Sequence, residues 1–196
     1  FGGTVNVRYA VSTGNEDDSF DWTHGWSGNG QFWVVEQFEA GGDRGIEADN
    51  NGDDNTLTPY SNPTLSNLTL VGAIDADSSN TGMRLREGTK GNIYNAIVTG
   101  FPKYGIHVSE SQTTSNMNNN ELVVKHSVSA NNGTNFQDCD PFANDMTNST
   151  VPVALVGYVG TTTGGMDMSS TDSWFVSTDY IGAVPATNDW TAGWTK

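Results

Sequence analysis

Positive charge is scarce in this chain of 196 residues, which carries eight Lys and Arg against 23 Asp and Glu. The net charge of -15 argues against nucleic-acid binding, because neutralising phosphates requires clustered cations. The same shortage disfavours anionic membrane surfaces. Long apolar runs are missing as well, since none approaches the roughly 20 residues that a membrane-spanning helix needs. The sequence therefore predicts no nucleic-acid partner and no membrane span.

Cysteine is limited to Cys139, so no disulfide forms within the chain. Leu, Ile, Val and Phe supply 38 positions, a low share that together with the net charge resembles disordered proteins. Six Trp, six Tyr and eight Phe indicate a folded domain instead. Gly, Ser, Thr and Asn supply 84 residues, which is typical of a chain rich in turns. Because no window shows a sustained 3.6-residue period, we predict an all-β fold.

A glycine followed by an apolar-x-apolar strand recurs at Gly45, Gly82 and Gly105. Recurrence every roughly 20–50 residues is typical of a solenoid, in which each repeat forms one turn, or rung. Strand length and the alternation of apolar residues indicate a β-solenoid rather than a helical array. We therefore predict one domain over residues 1–196.

The spacing of the predicted rungs follows from matching strands. Residues 93–100 match residues 65–72 at an offset of 28, and a weaker copy at 124–130 lies 31 further on. Val34 lies 27 residues after Val7, which predicts the same spacing for the first rungs. Rungs joined by long lateral loops are expected over about 4–130. An irregular capping region is expected over about 131–196.

Carboxylates are concentrated in one turn, where four occur within six positions: Glu16, Asp17, Asp18 and Asp21. Such carboxylates repel one another unless a cation or an array of donors neutralises them. Calcium takes oxygen ligands in groups of roughly 6–8, so this acidic turn is a candidate calcium site. The alternative is a solvated acidic loop.

A second candidate calcium site has oxygen-bearing residues at alternate positions, Asp49, Asn51, Asp53 and Asn55. It lacks the glycine and the glutamate that complete an EF-hand loop, so the alternative is an exposed polar loop. A weaker candidate of the same kind is formed by Asp75, Asp77 and Ser79.

Tryptophans occur in two similar units, DWTHGW at 21–26 and DWTAGW at 189–194. Trp22, Trp26 and Trp33 are candidates for an aromatic platform that binds sugar rings. The alternative is a structural role in which each ring is buried and its indole N–H is bonded. Recurrence of the unit without the acidic turn favours the structural role.

Two further sets of residues have competing interpretations. Asn67 and Asn95 occupy equivalent rung positions and are expected to stack as an internal ladder that bonds side chain to backbone.

Three cations, Arg44, Arg84 and Arg86, are candidate catalytic bases of a calcium-dependent polysaccharide lyase. Salt bridges with nearby glutamates, Glu47 and Glu87, are the simpler explanation.

The chain resembles the C-terminal half of a family of secreted bacterial cell-surface proteins. The segments that carry this resemblance span almost the whole chain: FGGTVNVRYAV, DDSFDWTHGW, GQFWVV, GDRGIEADNN, SNPTLSNLTLVG, GMRLREGTKGNIYNAIVTGF, YIGAV and DWTAGW. The resemblance implies a right-handed parallel β-helix of the pectate-lyase-like class, export across the inner membrane, and further rungs ahead of residue 1. It implies no defined activity, and it weakens between residues 111 and 173.

These observations favour an extracellular or cell-surface protein with a structural or adhesive role, stabilised by calcium. Its expected partners are copies of itself, joined end to end or laterally, or surface polysaccharide. The alternatives are a calcium-dependent polysaccharide lyase or other carbohydrate-active β-helix enzyme, and a carbohydrate-binding module.

Overall fold

The computed structural model describes residues 2–38, 41–75, 80–193 and 195. Most of its regular structure is β: Val7–Thr13 (β1), Phe20–Trp22 (β2), Asn29–Glu36 (β3), Arg44–Ala48 (β4), Thr64–Val71 (β5), Thr81–Leu85 (β6), Gly91–Thr99 (β7), Tyr104–Val108 (β8), Leu122–Lys125 (β9), Val128–Ala130 (β10), Thr134–Gln137 (β11), Thr162–Thr163 (β12) and Tyr180–Ile181 (β13). Two short α-helices, Ser111–Asn118 (α1) and Asp140–Ala143 (α2), and a 3-10 turn at Met168–Ser170 complete it. No helix in these ranges is both long and apolar enough to cross a membrane.

Alternate strands along the chain form two parallel sheets. Sheet 1 has the order β1-β3-β5-β7 and then β9 and β10, which both pair with β7. Sheet 2 has the order β2-β4-β6-β8-β11. Strands β12 and β13 form a small antiparallel pair apart from both. The all-β prediction is confirmed at the level of the sheets.

Two of the three predicted offsets are confirmed by the strand register. Leu65 pairs with Ile93, an offset of 28, and Ile93 pairs with Val124, an offset of 31. The offset of 27 between the first strands is wrong, because Val34 pairs with Val11, 23 residues earlier.

Each strand of sheet 1 bends at one residue with a left-handed backbone. Five residues at equivalent register have φ between 50° and 61°: Tyr9, Phe32, Asn67, Asn95 and His126. Asparagine tolerates this conformation better than most residues because its short polar side chain bonds locally. The bend shifts the alternation of the strand, so Ile93 and Ala96, three residues apart, both contact the main core, while Ile97 contacts a different cluster.

The main core lies between the two sheets. Sheet 1 contributes Trp33, Val35, Leu68, Leu70, Ala96 and Val98, and sheet 2 contributes Ile46, Ala48, Met83, Leu85, Ile106 and Val108. Cys139 and Phe142 join this cluster from the segment after β11. Burial raises the pKa of the Cys139 thiol to about 12, so this residue is an inert core side chain.

The recurring glycines have a steric cause. A Cβ on Gly82 would lie 2.3 Å from Val98, and one on Gly105 would lie 2.2 Å from the hydroxyl of Ser129. A Cβ on Gly45 would meet Leu70 at 2.8 Å. These glycines therefore let the beginnings of β4, β6 and β8 approach sheet 1. The ring of Phe101, which follows β7 and is fully buried, lies against Gly45 and Gly82.

Residues 153–190 pack on the face of sheet 1 that points away from the core. Val34 contacts Ala183 and Val184 there, and Ile97 contacts Ile181. The side chains of Asn67 and Asn95 also point to this segment. The prediction that they stack inside the solenoid is therefore wrong, because they point away from the main core. The Asn67 amide donates to the carbonyls of Tyr180 (2.9 Å) and Gly182 (3.2 Å).

Two regions differ from the sequence prediction. Residues 111–118 form helix α1, although the all-β prediction includes no helix, and Thr113, Asn116 and Met117 of this helix are buried. Strand β11 pairs with β8 in parallel, so regular pairing continues to residue 137 rather than ending near 130.

Candidate functional site

The outer face of sheet 2 carries a row of ionisable side chains. Ile46, Met83 and Ile106 point into the core, so the next residue on each strand points outward. The register then aligns four side chains on β2, β4, β6 and β8: Asp21, Glu47, Arg84 and His107. One end of this row is acidic and the other is basic.

Arg86 occupies the centre of the acidic half. Its Nε lies 2.8 Å from Asp49 Oδ1, and its Nη2 lies 3.0 Å from Asp49 Oδ2 and 2.9 Å from Glu47 Oε2. Arg44 adds ion pairs with Asp43 and, at 3.5 Å, with Glu47. Burial still raises the pKa of Glu47, although Arg86 opposes that shift. Two of the three candidate catalytic arginines are therefore held by carboxylates, as the salt-bridge interpretation expects.

Arg84 and His107 form the basic half of the row, and among the described residues Arg84 has no carboxylate within ion-pair distance. Within the described ranges, the buried Arg84 Nε and His107 Nδ1 have no hydrogen-bond partner. The Tyr104 ring packs edge-on against His107 at 4.7 Å, and Asp138 Oδ2 lies 3.5 Å from His107 Nε2. Burial lowers the pKa of His107, and the charge of Arg84 lowers it further.

His107 gives a prediction about pH. A histidine whose pKa is lowered by folding favours the folded state above its unfolded value, near 6.5, and this contribution is lost as the pH falls below it. We expect the free energy of unfolding of the wild type to fall more between about pH 7.5 and about pH 5.5 than that of His107→Gln. Urea unfolding of both proteins at the two pH values measures the difference. Parallel pH profiles would contradict the placement of a neutral, buried His107.

The acidic turn gathers a different set of carboxylates from the one predicted. Carboxylate oxygens of Asp17, Asp18 and Asp43 lie within 4.8 Å of one another. Burial, followed by the charge of Glu47, raises the pKa of Asp18 to about 7, although the Arg44 backbone N–H donates to it at 2.8 Å. Clustered oxygens of this kind fit a divalent cation.

Two of the four residues predicted for the acidic turn lie outside this cluster, and one residue of the cluster, Asp43, was not predicted. Glu16 lines a shallow depression with Phe38, and Asp21 belongs to the row on sheet 2. Asp43 comes from the turn before β4, and the register places it beside Asp17 because Phe20 pairs with Ile46, 26 residues later. That offset was not visible in the sequence, because neither segment repeats the other.

The second predicted calcium loop uses its polar atoms internally. Asp49 holds Arg86, and Asn51 Oδ1 accepts hydrogen bonds from the backbone N–H groups of Asp53 and Asp54, both at 2.9 Å. Asn55 donates to the carbonyl of Asn51. The loop is therefore ordered by its own hydrogen bonds. In the weaker candidate, Asp77 and Ser79 lie outside the described residues.

Comparison with family models matches the chain to the pectate-lyase like beta helix domain over residues 1–195. The chain belongs to this β-helix family. The predicted β-helix class is thereby confirmed, and the two parallel sheets are its structural counterpart. Comparison with curated proteins and with solved structures gives no match. The family assignment covers the fold, and the chemistry has to be inferred from the residues of this β-helix domain.

At the β1 edge of the β-helix domain, the three candidate tryptophans form one aromatic cluster. Trp22 and Trp33 are each 4% exposed, and Trp26 is half-buried and stacked on Trp33 at 6.1 Å. The indole N–H of Trp22 donates to the Thr89 hydroxyl, that of Trp26 to the Val5 carbonyl, and that of Trp33 to the Val7 carbonyl. This arrangement favours the structural role over an exposed platform. In the second unit Trp190 donates to the Ala183 carbonyl at 2.9 Å, while Trp194 lies outside the described residues.

Proposed function

We propose that this β-helix domain is a rigid structural or adhesive element of an extracellular or bacterial cell-surface protein, stabilised by calcium. The observation that carries the proposal is that the protein's own groups occupy the outer face of sheet 1 and the acidic half of the outer face of sheet 2. Residues 153–190 cover sheet 1, and on sheet 2 Arg44 and Arg86 are bound to carboxylates. An enzyme of this class instead needs a face on which ionisable groups are free to meet substrate. We extend the proposal to a single domain wound as a right-handed solenoid, with long lateral loops and a C-terminal cap.

Calcium is assigned in this proposal to Asp17, Asp18 and Asp43. The three carboxylates come from two adjacent rungs, so an ion between them would tie the turn before β2 to the turn before β4. The raised pKa of Asp18 supports this assignment, because burial and the charges of Glu47 and Asp17 disfavour its carboxylate form more than Arg44 favours it, and a bound cation would offset that cost. Backbone carbonyls and water would complete the coordination that calcium requires.

Contact between copies of the protein is supported by the unpaired strand edge at one end of each sheet. Among the described residues β1 pairs with β3 alone and β2 with β4 alone, so one edge of each strand can pair with a further rung or with another copy. Core residues Phe20 and Trp26 are partly exposed at this end, whereas Phe142 is buried at the other. We expect sedimentation and electron microscopy at rising concentration to show particles longer than a single domain. Particles of one short length at every concentration would contradict self-assembly.

A carbohydrate-active enzyme, above all a calcium-dependent lyase, is the second candidate. It is favoured by the unpaired Arg84 beside His107 on the same face as Glu47. Incubation with a panel of neutral and acidic polysaccharides, followed by measurement of new reducing ends and of unsaturated products, separates the two functions. The structural role predicts retention on polysaccharide without turnover. Turnover that is lost in Arg84→Gln would establish the enzyme.

A further inference from the structure

The segment at 151–156, VPVALV, is apolar at every position. Its half-buried residues Val153 and Leu155 pack against a buried cluster on the outer face of sheet 1, whereas Val151 and Val156 are 70% and 82% exposed. A strand with one solvated face normally alternates apolar and polar residues, and a continuous apolar run is typical of a strand that is covered on both faces. Among the described residues this segment is covered on one face, although its sequence is that of a segment covered on two.

A groove of about 780 Å³ adjoins this segment. Its lining includes part of the segment and of β12, and the buried side chains of Val128 and Ile181. Met146, which is 99% exposed, lines it as well. None of the described residues that line the groove is Asp, Glu, Lys or Arg. The groove therefore suits an uncharged, apolar occupant.

Main-chain hydrogen bonding along the groove is incomplete. Among the described residues, 152–155 form no main-chain to main-chain hydrogen bond, and β12 pairs with β13 alone. A neighbouring extended segment would pair with these groups as an added strand does. Pro152 has no N–H, so such pairing stays short and does not grow into a fibre. The occupant that fits is an extended peptide segment.

The chain itself carries a segment of this chemistry. Residues 146–166 contain no Asp, Glu, Lys or Arg, and they are the longest stretch without one in a sequence of net charge -15. Two copies of so acidic a protein repel each other least where both surfaces are uncharged. The segment and the groove belong to one patch, so two copies can exchange segments about a two-fold axis. A second copy therefore matches the groove in both shape and charge.

We propose that residues 151–156 of one copy lie in the groove of a second copy, and reciprocally, so that the protein forms a two-fold symmetric dimer. The proposal rests on the proposed function, whose contact between copies it makes specific. It uses a different surface from the free edges of β1 and β2. Contact through those edges lengthens the particle, whereas this contact stops at two copies because both grooves are then filled.

Sedimentation equilibrium over a range of concentrations is expected to show the wild type as a mixture of one and two copies. Val151→Asp places like charges on both copies at the contact, and we expect it to raise the dimer dissociation constant by about tenfold or more. Because Val151 is 70% exposed, the single copy is expected to keep its fold, which circular dichroism checks.

Leu57→Asp is the matched control. It makes the same change of charge at an apolar side chain that is 50% exposed and lies outside the groove. It is expected to change the dissociation constant by about twofold or less, because salt screens a charge that is distant from the contact. An equimolar mixture of Val151→Asp and Val151→Lys is expected to associate more tightly than either variant alone, because opposite charges then meet across the dimer.

A wild type that stays monomeric at every concentration, or a dimer weakened equally by Leu57→Asp, would overturn the proposal. A monomeric wild type that binds the peptide STVPVALVG, residues 149–157, would identify a segment of another protein as the occupant and overturn the second copy. Particles that lengthen equally in the wild type and in Val151→Asp would overturn the two-fold dimer while preserving end-to-end contact. A dimer that is lost in Val151→Asp, without longer particles, would support the two-fold contact and contradict assembly through the strand edges.

Discussion

Replacement of Asn67 by alanine is expected to lower the free energy of unfolding by about 3–4 kcal/mol. The side chain is fully buried, and its amide joins sheet 1 to the segment that covers it. Its oxygen accepts hydrogen bonds from Gln31, Ser66 and Thr178 at 3.0–3.2 Å, in addition to the two bonds that its nitrogen donates. Alanine removes all of these bonds, and each donor or acceptor that is left buried and unsatisfied costs about 1–3 kcal/mol before local relaxation.

Two comparisons separate the causes of that loss. Asn67→Gly retains the left-handed backbone, with φ of 56° in the wild type, and isolates the contribution of the amide. Asn118→Ala, an exposed asparagine in α1, is the control and is expected to stay within about 0.5 kcal/mol of the wild type. Urea unfolding gives the energies, and limited proteolysis between residues 153 and 190 reports whether the covering segment is released. An Asn67→Ala protein as stable as Asn118→Ala would show that the segment is not fixed by this network.

Replacement of Arg86 by glutamine is expected to destabilise the protein by about 2–3 kcal/mol at neutral pH. Breaking a buried ion pair from one side costs about 3–5 kcal/mol, and the value here is smaller because the Arg86 side chain is 28% exposed. The loss arises because the Asp49 side chain, 8% exposed, keeps its charge without its bidentate partner. Glu47 loses the same partner.

The same substitution has a pH signature. Without Arg86 the carboxylate of Glu47 loses a charge that lowers its pKa, so the pKa of Glu47 rises further in the folded state. A raised folded-state pKa stabilises the protein at low pH, and this contribution is lost as the pH rises. The deficit of Arg86→Gln is therefore expected to be smaller at about pH 5 than at about pH 8, while Arg86→Lys shows an intermediate deficit. Urea unfolding at both pH values tests this, and a deficit independent of pH would contradict the ion-pair account.

The sequence predicted the fold best where successive rungs resemble each other. The offsets of 28 and 31 are confirmed because β5, β7 and β9 repeat the same inward residues, of which Leu65, Ile93 and Val124 are aligned. Between β1 and β3 the loop is shorter, and matching valines by distance alone gave a wrong register. Helix α1 was missed because its sequence has no apolar period. It is held from outside, since Asn116 donates to the carbonyls of Gly88 and Thr89.

The sequence predicted which residue types form the candidate sites better than it predicted which residues contact one another in the fold. The acidic turn was singled out by its charge density, yet Asp43 joins it through the fold, from a turn that the sequence treats as ordinary. Arg84 was singled out together with Arg44 and Arg86, because nothing in the sequence distinguishes the three arginines. The distinction comes from the register, which places Arg84 beside His107 and leaves Glu47 to the other two arginines.

The most direct test of the calcium-stabilised structural element is thermal unfolding with calcium and with a chelator, at fixed ionic strength. Calcium bound by the folded state alone stabilises by about 2.7 kcal/mol at 100 times its Kd. We predict a clear rise in Tm that is lost in Asp17→Asn/Asp18→Asn and retained in Asp53→Asn/Asp54→Asn, a double variant with the same change in charge. An equal Tm with calcium and chelator, or a rise that survives in Asp17→Asn/Asp18→Asn, would contradict the account.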